Sequence, residues 1–227
     1  MKKNKISSIL TSVKMFLFNL KPSSDLSLNK NTTTNINMPL LTTADGLYNY
    51  LITSNNEITI VNYLGVEATV VVPDSIDDIP VTTIGPVSFI NNPLLKNISM
   101  SKVTTIDIAA FQNCTSLESV SIPLATTLGD NVFLGDTALK TLYMPKVITI
   151  GHSAFQNCSS LENISIPETT TIGANAFLND ISLKNIDMPN TKTIGANAFL
   201  NNIALKNVYM PKATTIDTNA FQNCSLL

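Results

Sequence analysis

The stretch LKTLYMPKVITIGHSAFQNCSS, residues Leu139–Ser160, holds one complete unit of a pattern that runs through most of the chain. Its Phe155 belongs to a column made of Phe89, Phe111, Phe133, Phe155, Phe177, Phe199 and Phe221, each 22 residues from the next. Leu95, Leu117, Leu139, Leu161, Leu183, Leu205 and Leu227 keep the same step, as do Ile84, Ile106, Leu128, Ile150, Ile172, Ile194 and Ile216. Pro123, Pro145, Pro167, Pro189 and Pro211 mark one corner of the unit. A fixed period of this size, held without insertion, is the signature of a solenoid or array.

Within the quoted unit, Leu139, Leu142 and Met144 are apolar and Thr141 and Tyr143 stand between them, the alternation of a half-buried strand. Pro145 ends that strand because it has no N–H to give a ladder. Ile150 returns inward, Gly151 permits a tight turn, and Ala154-Phe155 is read as a short helical turn. One unit alone cannot bury Leu139, Leu142, Met144, Ile150 and Phe155, whereas stacked units bury them as one continuous core. The expected fold is an α/β solenoid of 22-residue units, with one parallel β-sheet on one face, short helical turns on the other, and the phenylalanines stacked as a spine.

The landmarks Ile122-Pro123, Ile150-Gly151, Ala154-Phe155 and Asn157-Cys158 resemble those of the BspA-like (Treponema-type) leucine-rich repeat family. Asp45-Gly46-Leu47-Tyr48, Glu57-Ile58-Thr59-Ile60 and Val70-Val71-Val72-Pro73 look like the N-terminal segment of that family. The likeness covers residues 45–227. The departures are Asp107 and Asp217 for the Gly, Ser88 and Val132 for the Ala, and Asp136 and Asp180 for the Cys. Each is expected to disturb only local geometry. The resemblance implies a leucine-rich repeat fold and a cell-surface or secreted adhesion and protein-interaction module of a bacterium or protist.

Composition narrows the function independently. Charged residues are 13% of the chain, about half the usual share of roughly 25%. Fourteen basic and sixteen acidic residues give a net charge of −2, with no surplus for a phosphate backbone, so nucleic acid is not an expected partner. One His, three Cys and no Trp leave few parts for metal or nucleophilic chemistry. There is no Gly-rich phosphate loop and no Ser/His/Asp set. Neither an enzyme nor a cofactor-binding or metal-binding protein is expected.

The chain divides into four expected parts. Residues 1–22 are a basic amphipathic segment, with Ile6, Ile9, Leu10, Val13, Phe16, Leu17 and Leu20 at helical spacing. Three readings are open there: a helix packed on its neighbour, a degenerate secretory signal interrupted by Lys14, or an amphipathic helix on a membrane surface. Residues 23–44 read as a polar linker, 45–80 as a capping segment, and 81–227 as the repeat array, open at its C-terminal end. Two readings of the open end stand: the sequence is a fragment of a longer array, or the end pairs with another molecule in end-to-end self-association.

Several candidate residues have structural readings. Cys114, Cys158 and Cys224 share one column with Asn92, Asp136, Asp180 and Asn202, which points to small side chains bonding loop backbone. Strands stack about 4.8 Å apart, so Cys114 and Cys158, two units apart, are too distant for a disulfide. His152 shares its column with Ile108, Asp130, Ala174, Ala196 and Thr218, as a surface turn would. Asp77 and Asp78 are read as a turn. Lys96, Glu118, Lys140, Glu162, Lys184 and Lys206 form a column of mostly alternating sign, expected to hold the units in register.

Outward positions on the predicted sheet are Asn97/Ser99, Ser119/Ser121, Thr141/Tyr143, Asn163/Ser165, Asn185/Asp187 and Asn207/Tyr209. Tyr, Ser and Asn are the residues of adaptable binding surfaces. Tyr143 and Tyr209, with Asn163, Asn185, Asp187 and Asn207, are therefore the candidate contacts for a protein or extracellular-matrix ligand. The alternative is a cytoplasmic or purely structural scaffold whose sheet face is merely solvated.

Overall fold

The computed structural model describes residues 39–227. The expectations for residues 1–22, and for all but the end of 23–44, lie outside these residues.

The described chain opens with antiparallel strands. Leu41–Thr42 pairs with Tyr48–Ile52, which pairs in turn with Ile58–Tyr63. Ile58–Tyr63 then lies parallel to Ile79–Ile84, which sets Thr59 beside Thr83 and Ile60 beside Ile84. This parallel register continues coil on coil through Thr105–Ile106, Thr127–Leu128, Thr149–Ile150, Thr171–Ile172, Thr193–Ile194 and Thr215–Ile216. Asp77 and Asp78 form the two-residue loop between Ser75–Ile76 and Ile79–Ile84, with φ of 49° and 62°. Two consecutive left-handed residues are what a type I′ hairpin requires, and Asp tolerates them.

Each unit contributes strands to two faces, not to the one sheet expected. Thr69–Val71, Asn97–Ser99, Ser119–Ser121 and Thr141–Tyr143 form a second parallel sheet, and Asn163–Ser165, Asn185–Asp187 and Asn207–Tyr209 form a third. Proline accounts for the break between the two strands in five of the units, while Ser101 stands at that corner between Asn97–Ser99 and Thr105–Ile106. Pro123 and the other prolines of its column lack an N–H and turn the chain, so the following Thr-Ile pair joins a different ladder. Between Tyr143 and Asn163 this face is interrupted while the Thr-Ile ladder runs on, Gly173 N donating to Ile150 O at 2.9 Å. Leu142 beside the interruption is half-buried, whereas its column mates Ile98, Val120 and Ile186 are buried.

The expected helical turns are absent among the described residues. On the Phe side, each unit makes two successive tight turns whose left-handed residues stand four apart: Ala109 and Asn113, Asn131 and Gly135, Ser153 and Asn157, Asn175 and Asn179. A helix needs negative φ throughout and returns each N–H to its own preceding turn. Here Phe133 N donates to Ala154 O at 2.8 Å and Phe155 N to Ala176 O at 2.7 Å, both in the next coil. The third side of the solenoid is therefore another inter-coil ladder. Asn fills most of these positions because its short polar side chain is comfortable in the left-handed region.

The core lies between these sides. Phe111, Phe133, Phe155, Phe177 and Phe199 are fully buried. Their rings stack 5.0–5.5 Å apart with interplanar angles of 4–15°, the offset parallel packing that aromatic pairs favour. Tyr63 continues the spine beyond Phe89 at 5.0 Å, and Tyr48 extends it by one more ring.

The Gly column serves close approach. Gly129, Gly151, Gly173 and Gly195 do not have positive φ, but a Cβ on Gly173 would lie 2.6 Å from Gly151 C and 2.7 Å from His152 N. The two Asp departures fold onto their own turns: Asp107 Oδ1 accepts from Ile108 N at 2.7 Å, and Asp217 Oδ1 from Thr218 N at 2.7 Å.

Candidate functional site

The interior columns account for most residues that could have carried chemistry. Cys114 Sγ donates to Phe89 O at 3.1 Å, Cys158 Sγ to Phe133 O at 3.2 Å, and Cys224 Sγ to Phe199 O at 3.1 Å. All three thiols are free, and burial pushes each above its ordinary range, which makes them poor nucleophiles. His152 lies on the surface; its Nδ1 accepts from Ala174 N at 3.1 Å and its own N–H donates to Asp130 Oδ1 at 2.7 Å. Among the described residues no group of three or more His, Cys, Asp and Glu is arranged to hold a metal ion.

The outward face of the third sheet is built differently. The strands Asn163–Ser165, Asn185–Asp187 and Asn207–Tyr209 stand in register, so Asn163, Asn185 and Asn207 form one row and Ser165, Asp187 and Tyr209 another. The row of amides is bonded end to end. Asn185 Nδ2 donates to Asn163 Oδ1 at 2.6 Å, and Asn207 Nδ2 to Asn185 Oδ1 at 2.6 Å. Each donating amide in this ladder uses only one N–H along the row, so its remaining polar capacity faces solvent. Ile164, Ile186 and Val208 point the other way and anchor the face to the core.

These strands line a groove of about 830 Å³ whose wall also includes Lys206 and Leu227. Five of the six candidate residues share it: Asn163, Asn185, Asp187, Asn207 and Tyr209. Tyr143 does not line it; it stands on the second sheet, across the interruption, with 57% of its surface exposed against 59% for Tyr209. Strand alternation does not single out Lys206 or Leu227. Lys206 flanks its strand, and Leu227 sits one unit farther on, so only the stacking of coils brings them to the groove.

Beside the groove runs the charge column. Lys140 Nζ pairs with Glu118 at 3.3 Å and Lys184 Nζ with Glu162 at 2.7 Å; Lys140 and Glu162, on either side of the interrupted sheet, form no ion pair. Each glutamate has one lysine partner, in the following coil. These pairs are exposed and worth a fraction of a kcal/mol each. Glu162→Lys is expected to lower the melting temperature by a few degrees at low salt, since it removes the partner of Lys184 and sets a new positive charge between Lys140 and Lys184. Raising the salt should remove most of that loss; a loss that ignores salt would count against a charge-based register.

Comparison with known proteins bears on the whole array. The pattern of the BspA type leucine rich repeat region matches residues 69–149 and 126–227, in 6 copies. The chain belongs to this family. A crystal structure of a T. pallidum leucine-rich repeat protein is similar, with a TM-score of 0.78 and 25% identity over 82% of this chain and 91% of that one. A leucine-rich cell surface protein of Faecalibacterium prausnitzii is similar with a TM-score of 0.72 and 27% identity, over 83% of this chain and 54% of that one. A leucine-rich repeat protein of Eubacterium ventriosum gives 0.64 and 25%, over 80% and 51%. This BspA-type chain thus spans about half the length of the latter two. No match was found among curated protein sequences. Among the described residues no helix is long and apolar enough to cross a membrane.

Proposed function

We propose that this BspA-type repeat chain is a non-catalytic module that binds a protein or extracellular-matrix ligand through the groove of the third sheet, at a microbial cell surface. The observation that carries the reading is the convergence of Asn163, Asn185, Asp187, Asn207 and Tyr209 on one groove. The amide ladder holds its side chains in place before a ligand arrives, which lowers the entropy lost on binding. Tyr209 supplies a large, exposed contact with few rotatable bonds, and Asp187 and Lys206 put one charge of each sign at its side. The surface location is supported by the similar F. prausnitzii protein, which is described as a cell surface protein.

Tyr209→Ala combined with Asp187→Ala tests the groove. Both residues are on the surface, so folding should change little, while affinity for immobilised matrix protein should fall on the order of 10-fold or more. Tyr143→Ala, outside the groove, should have the smaller effect. Unchanged binding by a folded Tyr209/Asp187 variant overturns the groove as the site. Protease shaving of intact cells tests location: loss of the chain supports surface exposure, and full protection favours an intracellular scaffold. Sedimentation of the purified chain tests end-to-end self-association, against which a clean monomer would count.

A further inference from the structure

One interior column is not explained by packing alone. It contains Asn92, Cys114, Asp136, Cys158, Asp180, Asn202 and Cys224, and both Asp136 and Asp180 are wholly buried. Each carboxyl uses one oxygen. Asp136 Oδ1 accepts from Cys114 N at 2.8 Å, and Asp180 Oδ1 from Cys158 N at 2.8 Å. Asp136 Oδ2 and Asp180 Oδ2 are buried without a partner among the described residues, as is Asn202 Nδ2.

Apart from that one backbone N–H on each Oδ1, nothing around them favours a negative charge. In this column Asp136 stands between Cys114 of the preceding coil, whose N–H donates to it, and Cys158 of the following one; Asp180 stands between Cys158, whose N–H donates to it, and Asn202, whose Oδ1 accepts from Asp180 N. The lysines of the same coils, Lys140 and Lys184, are engaged at the surface by Glu118 and Glu162. An unpaired buried carboxylate is among the most costly groups a core can hold, and protonation relieves it. The free Oδ2 is the atom that can carry the proton, since Oδ1 is already accepting.

We propose that Asp136 and Asp180 form a pH-sensitive switch in the coil stack: both are held as neutral acids inside the folded chain, and the array loosens at this column when rising pH removes their protons. Burial pushes Asp136 up to about 9, far more than the bond from Cys114 lowers it, and burial likewise raises Asp180 well above the ordinary range. The unfolded chain releases both protons near 3.8. Between these values the folded state binds protons that the unfolded state has lost, so each step upward in pH favours unfolding. Their stabilising contribution is fully present below about 3.8 and declines until the folded carboxyls themselves ionise. The switch is independent of what the groove binds.

The test is thermal unfolding of the full chain between about pH 5 and pH 9, for the wild type and for Asp136→Asn with Asp180→Asn. Asn already occupies the same column at Asn92 and Asn202, so the replacement is one the coil accepts. The wild type should melt about 5 °C or more higher at pH 5 than at pH 8, and the double variant should show a smaller difference and exceed the wild type at pH 8. Equal slopes in the two proteins would overturn the switch. If the double variant does not fold, infrared spectra of the folded wild type decide: a protonated-carboxyl band persisting at pH 7 supports the proposal, and its absence refutes it.

Discussion

Phe155→Ala is expected to destabilise the chain by about 3–5 kcal/mol, a fall in melting temperature of about 10 °C for a domain of this size. Phe155 is fully buried, with the Phe133 ring 5.3 Å away on one side and the Phe177 ring 5.0 Å away on the other. Truncation removes the ring's own burial and both stacking contacts, and leaves a hole that the neighbouring coils cannot fill. The coils on either side are pinned by Phe133 N to Ala154 O at 2.8 Å and Phe155 N to Ala176 O at 2.7 Å, which prevents collapse into the gap. In a solenoid each unit is coupled only to its neighbours, so a weak middle unit also divides the array. The denaturant transition should therefore broaden, with a smaller apparent m-value. Phe221→Ala is the internal comparison. Phe221 is only partly buried and stacks on a single neighbour, Phe199, at 5.0 Å. If the two variants lose equal stability, the spine is not a cooperative element.

The second large effect comes from adding one methyl group. Gly173→Ala would put a Cβ 2.6 Å from Gly151 C, 2.7 Å from His152 N and 2.8 Å from Gly151 O. All three are backbone atoms of the preceding coil and cannot rotate aside. A Gly to Ala change gains about 0.4–1 kcal/mol by restricting the unfolded chain, but forcing packed backbones apart costs about 1–3 kcal/mol and sometimes more. The steric cost wins, and the net loss should be about 2 kcal/mol in a chemical melt. Gly46→Ala separates the two mechanisms. Gly46 has open space around it but a φ of 74°, so its cost is conformational and should stay near about 1 kcal/mol. A neutral Gly173→Ala would mean that the coils can separate freely at this point.

The candidate groove was only partly visible in the sequence. Period-two alternation placed Asn163, Asn185, Asp187, Asn207 and Tyr209 on one outward face, because strand geometry alone dictates that. Alternation could not place the interruption beyond Tyr143, which separates that residue from the others. Nor could it bring Lys206 and Leu227 to the same wall, since neither lies at an outward strand position. The helical turns expected around Ala154-Phe155 failed for a reason the residues did signal. Asn at both Asn175 and Asn179, and again at Asn197 and Asn201, marks two left-handed positions per turn. A helix cannot hold such residues, and that pattern carries more weight than the helix propensity of the alanine between them.

The repeat, its 22-residue period and the inward Leu, Ile and Phe columns follow from residue order, because a unit this short can bury its apolar residues only against copies of itself. Sparse charge follows too, since most positions are taken by core residues or by Thr, Asn and Ser rows. The folded stack was needed to show which N–H groups cross between coils and which close turns within one. It made Gly173 a point of contact rather than of flexibility, and left Asp136 and Asp180 in a column with no cation beside them. Those outcomes depend on distances between coils, and a linear pattern carries no distances.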